Sequence, residues 1–278
     1  MLVEAEPAHL DLGIGLAESA ETVREWPGLG RREAPPFRLV LVRDREGFSR
    51  LARGRLPAWG AGMTVPAARL IVIRLDGGDP RATFRHELAH LVLHDALPGR
   101  VPLWFSEGYA VVAAEEWNRL LGLQLNLAVA RGRIPELRAL DGALREGDLT
   151  AQAAYALAGS AVLLLARLHP DRTLDALLGK LMDRQPFPEA VLAATGYPLE
   201  SFGEVWRKDV RRRYGLFVWL AAGGMWLVIA AAVVFLRGWR RGADAARKAA
   251  LDRGWVIPPE ALEEPQVPAT VDDGPPPE

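Results

Sequence analysis

The sequence contains no cysteine among its 278 residues. Disulfides and cysteine-ligated metal sites are therefore excluded, and the redox compartment cannot be read from the chain. A surplus of one charge is also missing: 34 Lys and Arg stand against 35 Asp and Glu, for a net charge of −1. That balance points away from a nucleic-acid partner and from a strongly acidic one. The first residues lack the basic start and apolar run of a signal peptide, and Glu4 and Glu6 stand where such a segment has Lys or Arg. There is no internal repeat. Apolar residues, in contrast, make up half of the chain, enough for a sizeable core in one or two domains.

Histidine is scarce, with five in the whole chain, and two of them fall in His86-Glu87-Leu88-Ala89-His90. This is H-E-x-x-H. On a helix, residues four apart lie one turn apart on one face, so both imidazoles can reach a single metal ion. Glu87 sits beside them and can take a proton from a metal-bound water. The surrounding sequence predicts that helix. Asp79-Pro80 supplies an N-cap acceptor and a first-turn proline. Phe84, Leu88, Leu91 and Val92 form one apolar stripe, and Pro98-Gly99 ends it.

A catalytic zinc site takes three protein ligands and leaves one position for water. His94 is a poor third ligand, because eight helical residues from His86 amount to an axial rise of about 12 Å. The extended motif H-E-x-x-H-x-x-G-x-x-H is absent, since Leu93 and Ala96 occupy its Gly and His places. Glu107 is the better candidate. It lies in P-L-W-F-S-E-G-Y-A (102–110), which begins a second helix after a short loop, and two antiparallel helices can set Glu107 beside His86 and His90.

The pair H-E-L-A-H and P-L-W-F-S-E-G-Y-A resembles the peptidase MA-like branch of the gluzincins, zinc peptidases whose third ligand is Glu. The resemblance is strong over residues 79–116 and weaker over 37–75 and 150–213. It implies His86, His90 and Glu107 as Zn2+ ligands, Glu87 as general base, and a peptide or protein substrate. Thermolysin-like gluzincins carry Asp four residues after the ligand Glu; here that position is Val111. The partner that orients a ligand histidine is thus not identified from the sequence. Gluzincins often use Tyr or His to bond the developing oxyanion. Tyr155 is the first choice for that role and Tyr109 the second.

Elsewhere, Leu12 to Trp26 reads as an amphipathic helix, Phe37 to Arg43 as a strand buried on both faces, and Asp44 to Arg53 as a short helix. A glycine-rich turn spans Trp59–Met63, and Ala68 to Leu75 reads as a second strand. By analogy with zincin folds, that turn and strand line the substrate groove, where strand addition can hold an extended peptide. Leu120 to Leu149 is mixed. Ala151 to Leu168 reads as a buried helix, followed by helices over Thr173–Met182, Pro188–Thr195 and Leu199–Arg213.

Gly215 to Leu236 carries no charged residue. As a helix it spans about 33 Å, enough for a bilayer core, with Tyr214, Trp219 and Trp239 as interfacial anchors. Beyond it, Arg237 to Arg253 is basic, and Trp255 to Glu278 is Pro-rich and acidic and reads as a disordered tail. The expectation is therefore an α+β chain: a zincin-like metallopeptidase domain over 1–213, with a small sheet and a mostly helical C-terminal part, a transmembrane helix over 214–237, and a juxtamembrane segment and tail over 238–278. Residues 215–236 would contact the lipid bilayer. Basic residues flank both ends of the span, so charge does not fix the topology; the resemblance leans toward an extracytoplasmic catalytic domain. Two other readings stay open: an inactive peptide-binding module of the same fold, and a membrane scaffold working through its tail.

Overall fold

The computed structural model describes residues 1–52, 60–117, 119–132, 134–146, 151–214 and 224–254. They divide into two units, one within Met1–Trp219 and one within Leu220–Glu278.

The first unit opens with β1 (Leu2–Glu4), α1 (Leu10–Ala20), the hairpin β2 (Arg24–Trp26) and β3 (Gly30–Arg32), β4 (Arg38–Val42), α2 (Arg45–Ala52), β5 (Gly62–Val65) and β6 (Leu70–Arg74). Helices follow: α3 (Pro80–Ala96), α4 (Leu103–Ala113), α5 (Arg119–Ala130), α6 (Leu140–Glu146), α7 (Ala151–Leu168), α8 (Asp175–Met182), α9 (Phe187–Thr195) and α10 (Leu199–Arg213). The second unit holds α11 (Met225–Gly254).

Four strands form a sheet in the order β1-β4-β6-β5, with β1, β4 and β6 parallel and β5 antiparallel to β6. The near-continuous apolar sequences of β4 and β6 reflect burial on both faces. Leu39, Leu41, Ile71 and Ile73 join the main core with Phe84, Leu88 and Leu91 of α3. Val72, with Val40 and Val42, packs instead with Phe48 of α2 and Met63 of β5. Two expectations change here. The span 12–26 is not one helix: α1 ends at Ala20 and the chain turns into β2. And β6 cannot accept a substrate strand, because β4 and β5 already occupy both of its edges; among the described residues the outer edges of the sheet belong to β1 and β5, and the glycine-rich approach to β5 looks like a turn in sequence. Trp59 lies outside the described residues.

The core of the helical half is built around α4 and α7. Gly108 of α4 lies so close to α7 that a Cβ there would sit 2.4 Å from the carbonyl oxygen of Ala158. The alanine-rich sequence of α7 allows that approach, with Ala154, Ala158 and Ala161 fully buried. On its other side α4 is anchored by aromatics: Phe105 meets Phe187 of α9 edge-on at 5.0 Å, and Trp104 stacks on Phe202 of α10. Pro102 cannot cap α4 with its side chain, so Asp141 of α6 accepts from the backbone N–H groups of Leu103 and Trp104 at 3.3 and 2.7 Å. A carboxylate there satisfies first-turn donors and complements the positive end of the helix.

The fold-class expectation needs correction. The chain is mostly helical with a small sheet, and among the described residues no helix is long and apolar enough to cross a membrane. Among the described residues the apolar stretch is short. Of the described residues of α11, the twelve from Met225 to Leu236 precede Arg237, and twelve helical residues rise about 18 Å against a hydrocarbon core of about 30 Å. After Arg237 the helix continues through Arg240, Arg241 and Asp244. Residues 215–223, the first part of the expected span, lie outside the described residues, as does the tail from 255 on. The transmembrane helix, the bilayer contact through 215–236 and the single-pass membrane location with an extracytoplasmic lean are therefore not supported.

Candidate metal centre

The site is built where α3 crosses α4. Asp79 caps α3 by accepting from the backbone N–H of Arg81 at 2.9 Å, with Pro80 in the first turn. Phe84, Leu88, Leu91 and Val92 bury the predicted stripe. His86 and His90 then stand one turn apart on the side that meets α4.

Three donor atoms converge there. His86 Nε2 and His90 Nε2 lie 3.2 Å apart, and Glu107 Oε2 lies 3.4 Å from each. The side chains are close to buried, at 12% exposure for both histidines and 17% for Glu107. His86, His90 and Glu107 can hold a metal ion. The spacing fits a tetrahedral zinc site: donors about 2.0–2.1 Å from the metal must sit about 3.3–3.4 Å from one another.

The far side of each imidazole is also occupied. His86 Nδ1 lies 3.1 Å from Glu116 Oε2, and His90 Nδ1 lies 3.0 Å from Ser106 Oγ. In the tautomer with both Nδ1–H groups donating outward, to Glu116 and Ser106, both Nε2 atoms present lone pairs to the centre. Two lone pairs and a carboxylate oxygen facing one another repel unless a cation or a proton lies between them. Ser106 also lies 3.4 Å from His94 Nε2. His94 is thus no ligand; it backs the residue that backs His90.

The electrostatics follow from this crowding in the metal-free protein. Burial drives His86 down, but hydrogen bonds and charges from Glu107 and Glu116 outweigh it and raise it well above the usual histidine value. Burial pushes Glu107 up, yet His90 and His86 more than compensate and hold it well below the usual carboxylate range. Glu87 moves the other way. Burial raises it, only partly opposed by His90, His86 and a hydrogen bond from Thr64. Thr64 Oγ lies 2.7 Å from Glu87 Oε2 and 2.8 Å from the Glu87 carbonyl oxygen, so the edge strand β5 grips Glu87.

Tyr155 of α7 reaches the same place. Its ring meets His86 edge-on with centroids 5.7 Å apart. Burial, then the charges of Glu107, Glu87 and Glu116, raise its hydroxyl, which stays protonated. Tyr109 is different: it is fully buried in the core, its hydroxyl has no partner among the described residues, and the charge it feels is Arg32. Sequence reasoning missed Thr64, Ser106 and, above all, Glu116. It stands nine positions after Glu107, beyond the end of α4, where no helical spacing links it to the motif.

An H-E-x-x-H helix facing a glutamate-bearing helix beside a small sheet defines a metallopeptidase-like domain. The sequence profile of the Peptidase MA superfamily matches residues 55–212, more than half of the chain, and the chain belongs to that superfamily. At that level it is a peptidase-like hydrolase domain with peptides or proteins as substrate class. A comparison with curated proteins finds no match.

Proposed function

We propose that the chain is a zinc-dependent peptidase of the gluzincin type, its catalytic domain lying within residues 1–213, with His86, His90 and Glu107 as ligands and Glu87 as general base. The observation that carries this reading is the triangle of donor atoms at 3.2–3.4 Å with the Glu87 carboxylate beside it. Bound there, zinc supplies Lewis acidity, activating water and polarising the scissile carbonyl.

The chain's own residues do the rest. Glu87 accepts the proton of the attacking water and delivers it to the leaving amine. Thr64 aims the carboxylate. The Tyr155 hydroxyl donates to the oxyanion as it develops. The free edge of β5 offers backbone groups to an extended substrate. A peptide-binding module without catalysis has no need of a carboxylate at position 87, nor of a strand that holds it in place.

Metal analysis and a peptide-library digest of the full chain test this reading. Wild type should carry about one zinc and cleave. Glu107→Ala should lose zinc. Glu87→Gln should keep zinc and lose cleavage by several orders of magnitude. A folded wild-type protein without affinity for zinc, or a fully active Glu87→Gln, refutes it.

A further inference from the structure

We propose that Glu116 is the positioning residue of the metal centre, holding His86 in the tautomer and orientation that turn Nε2 toward the other two donors. The inference rests on the ligand set proposed above.

The position four residues after Glu107 cannot do this work. Val111 is apolar and buried, and it packs where Gly159 of α7 passes. The carboxylate comes instead from the turn that ends α4. Ala114 is the C-cap, and Glu115 follows with a φ of 58°, in the left-handed region that non-glycine residues seldom occupy. The Glu116 N–H donates to the Val111 carbonyl at 3.0 Å and the Glu115 N–H to the Val112 carbonyl at 3.2 Å. This is the pair of bonds that closes a helix in a Schellman turn, a place normally taken by glycine. The turn reverses the chain and brings the Glu116 carboxylate to 3.1 Å from His86 Nδ1. A left-handed non-glycine residue beside such a site is strain that the surrounding structure holds in place.

The two histidines are therefore backed unequally. His90 leans on a neutral hydroxyl, Ser106, which leans in turn on His94. His86 leans on a carboxylate. A carboxylate accepting from the far ring nitrogen fixes the tautomer and makes the ligating nitrogen a better donor, and loss of such a partner weakens metal binding by about 10–100-fold. Glu116 is the residue on which that loss should fall most heavily.

The test is zinc affinity of the full chain by chelator competition, read beside the melting temperature of the metal-free protein. Glu116→Ala should weaken zinc by about 10–100-fold while the metal-free melting temperature stays near that of wild type. Glu116→Gln keeps an acceptor oxygen without the charge and should fall between the two. Glu115→Gly accepts the left-handed turn and should bind zinc as wild type does. Wild-type affinity in both Glu116 variants overturns the proposal, as does a lowered metal-free melting temperature in both with affinity unchanged. Failure of the wild-type chain to bind zinc at all refutes the ligand set instead, and so separates the two.

Discussion

The candidate metal centre has two walls that arise in different ways. One is a single stretch of α3, in which His86, Glu87 and His90 are set by helix periodicity alone. The other is assembled from parts distant in sequence: Glu107 on α4, Glu116 on the turn beyond it and Tyr155 on α7. The first wall exists wherever α3 is helical. The second exists only if α4 and α7 pack at the right separation, because nothing in its local sequence brings those three side chains together. On the proposed reading α3 carries the chemistry, while the α4–α7 contact decides whether that chemistry has a complete site.

The largest effect should come from prising the second wall apart. In Gly108→Ala the new Cβ meets the Ala158 carbonyl oxygen at 2.4 Å and the carbonyl carbon at 2.6 Å. Backbone cannot swing aside as a side-chain end can, so the helices must separate. Overpacking of this kind costs about 1–3 kcal/mol and occasionally more, and a contact with backbone belongs at the upper end. Urea denaturation should show the loss, and zinc affinity should fall with it because Glu107 moves with α4. Wild-type stability in this variant would mean that the α4–α7 contact does not set the site.

The same contrast explains what could be read from the sequence. Asp79-Pro80, the apolar stripe and H-E-x-x-H all lie within one helix, and the structure reproduces them residue for residue. Helix α7 runs over the expected residues, Ala151–Leu168. Strands β4 and β6 were legible because burial on both faces leaves continuous apolar runs. What escaped was settled by tertiary context. β5 is four residues long and begins with glycine, so it resembles a turn until β6 pairs with it. Glu116 was hidden because its route to His86 runs through a left-handed Glu115, where sequence rules look for glycine. The uncharged run 215–236, with its flanking aromatics and arginines, read as one spanning helix, whereas among the described residues no helix is long and apolar enough to cross a membrane.

A smaller effect should come from removing chemistry from the second wall without disturbing its packing. Tyr155→Phe keeps the ring against His86 and deletes the hydroxyl. If that hydroxyl serves the oxyanion, kcat should fall about 10²–10³-fold, the usual loss for one such donor. Zinc affinity and melting temperature should hold. Unchanged turnover in a zinc-loaded variant would reduce Tyr155 to a packing residue of α7.

The smallest of the three changes touches the first wall, and it asks whether α3 suffices by itself. A Cβ on Gly62 would lie 2.8 Å from both Cγ and Oε1 of Glu87 and 2.7 Å from the Thr83 methyl. These are side-chain atoms, so Gly62→Ala should fold, and Glu87 should shift to make room. The histidines point elsewhere and should bind zinc as before. A misplacement of about 1 Å in a reacting group can slow catalysis about 10²-fold, and the shift should do so here by loosening Glu87 from Thr64. Kinetics on the zinc-loaded variant decide the matter. A fall in kcat at constant zinc affinity means that even the wall written in one helix needs β5 to aim its base. Full activity means that H-E-x-x-H on α3 positions Glu87 unaided.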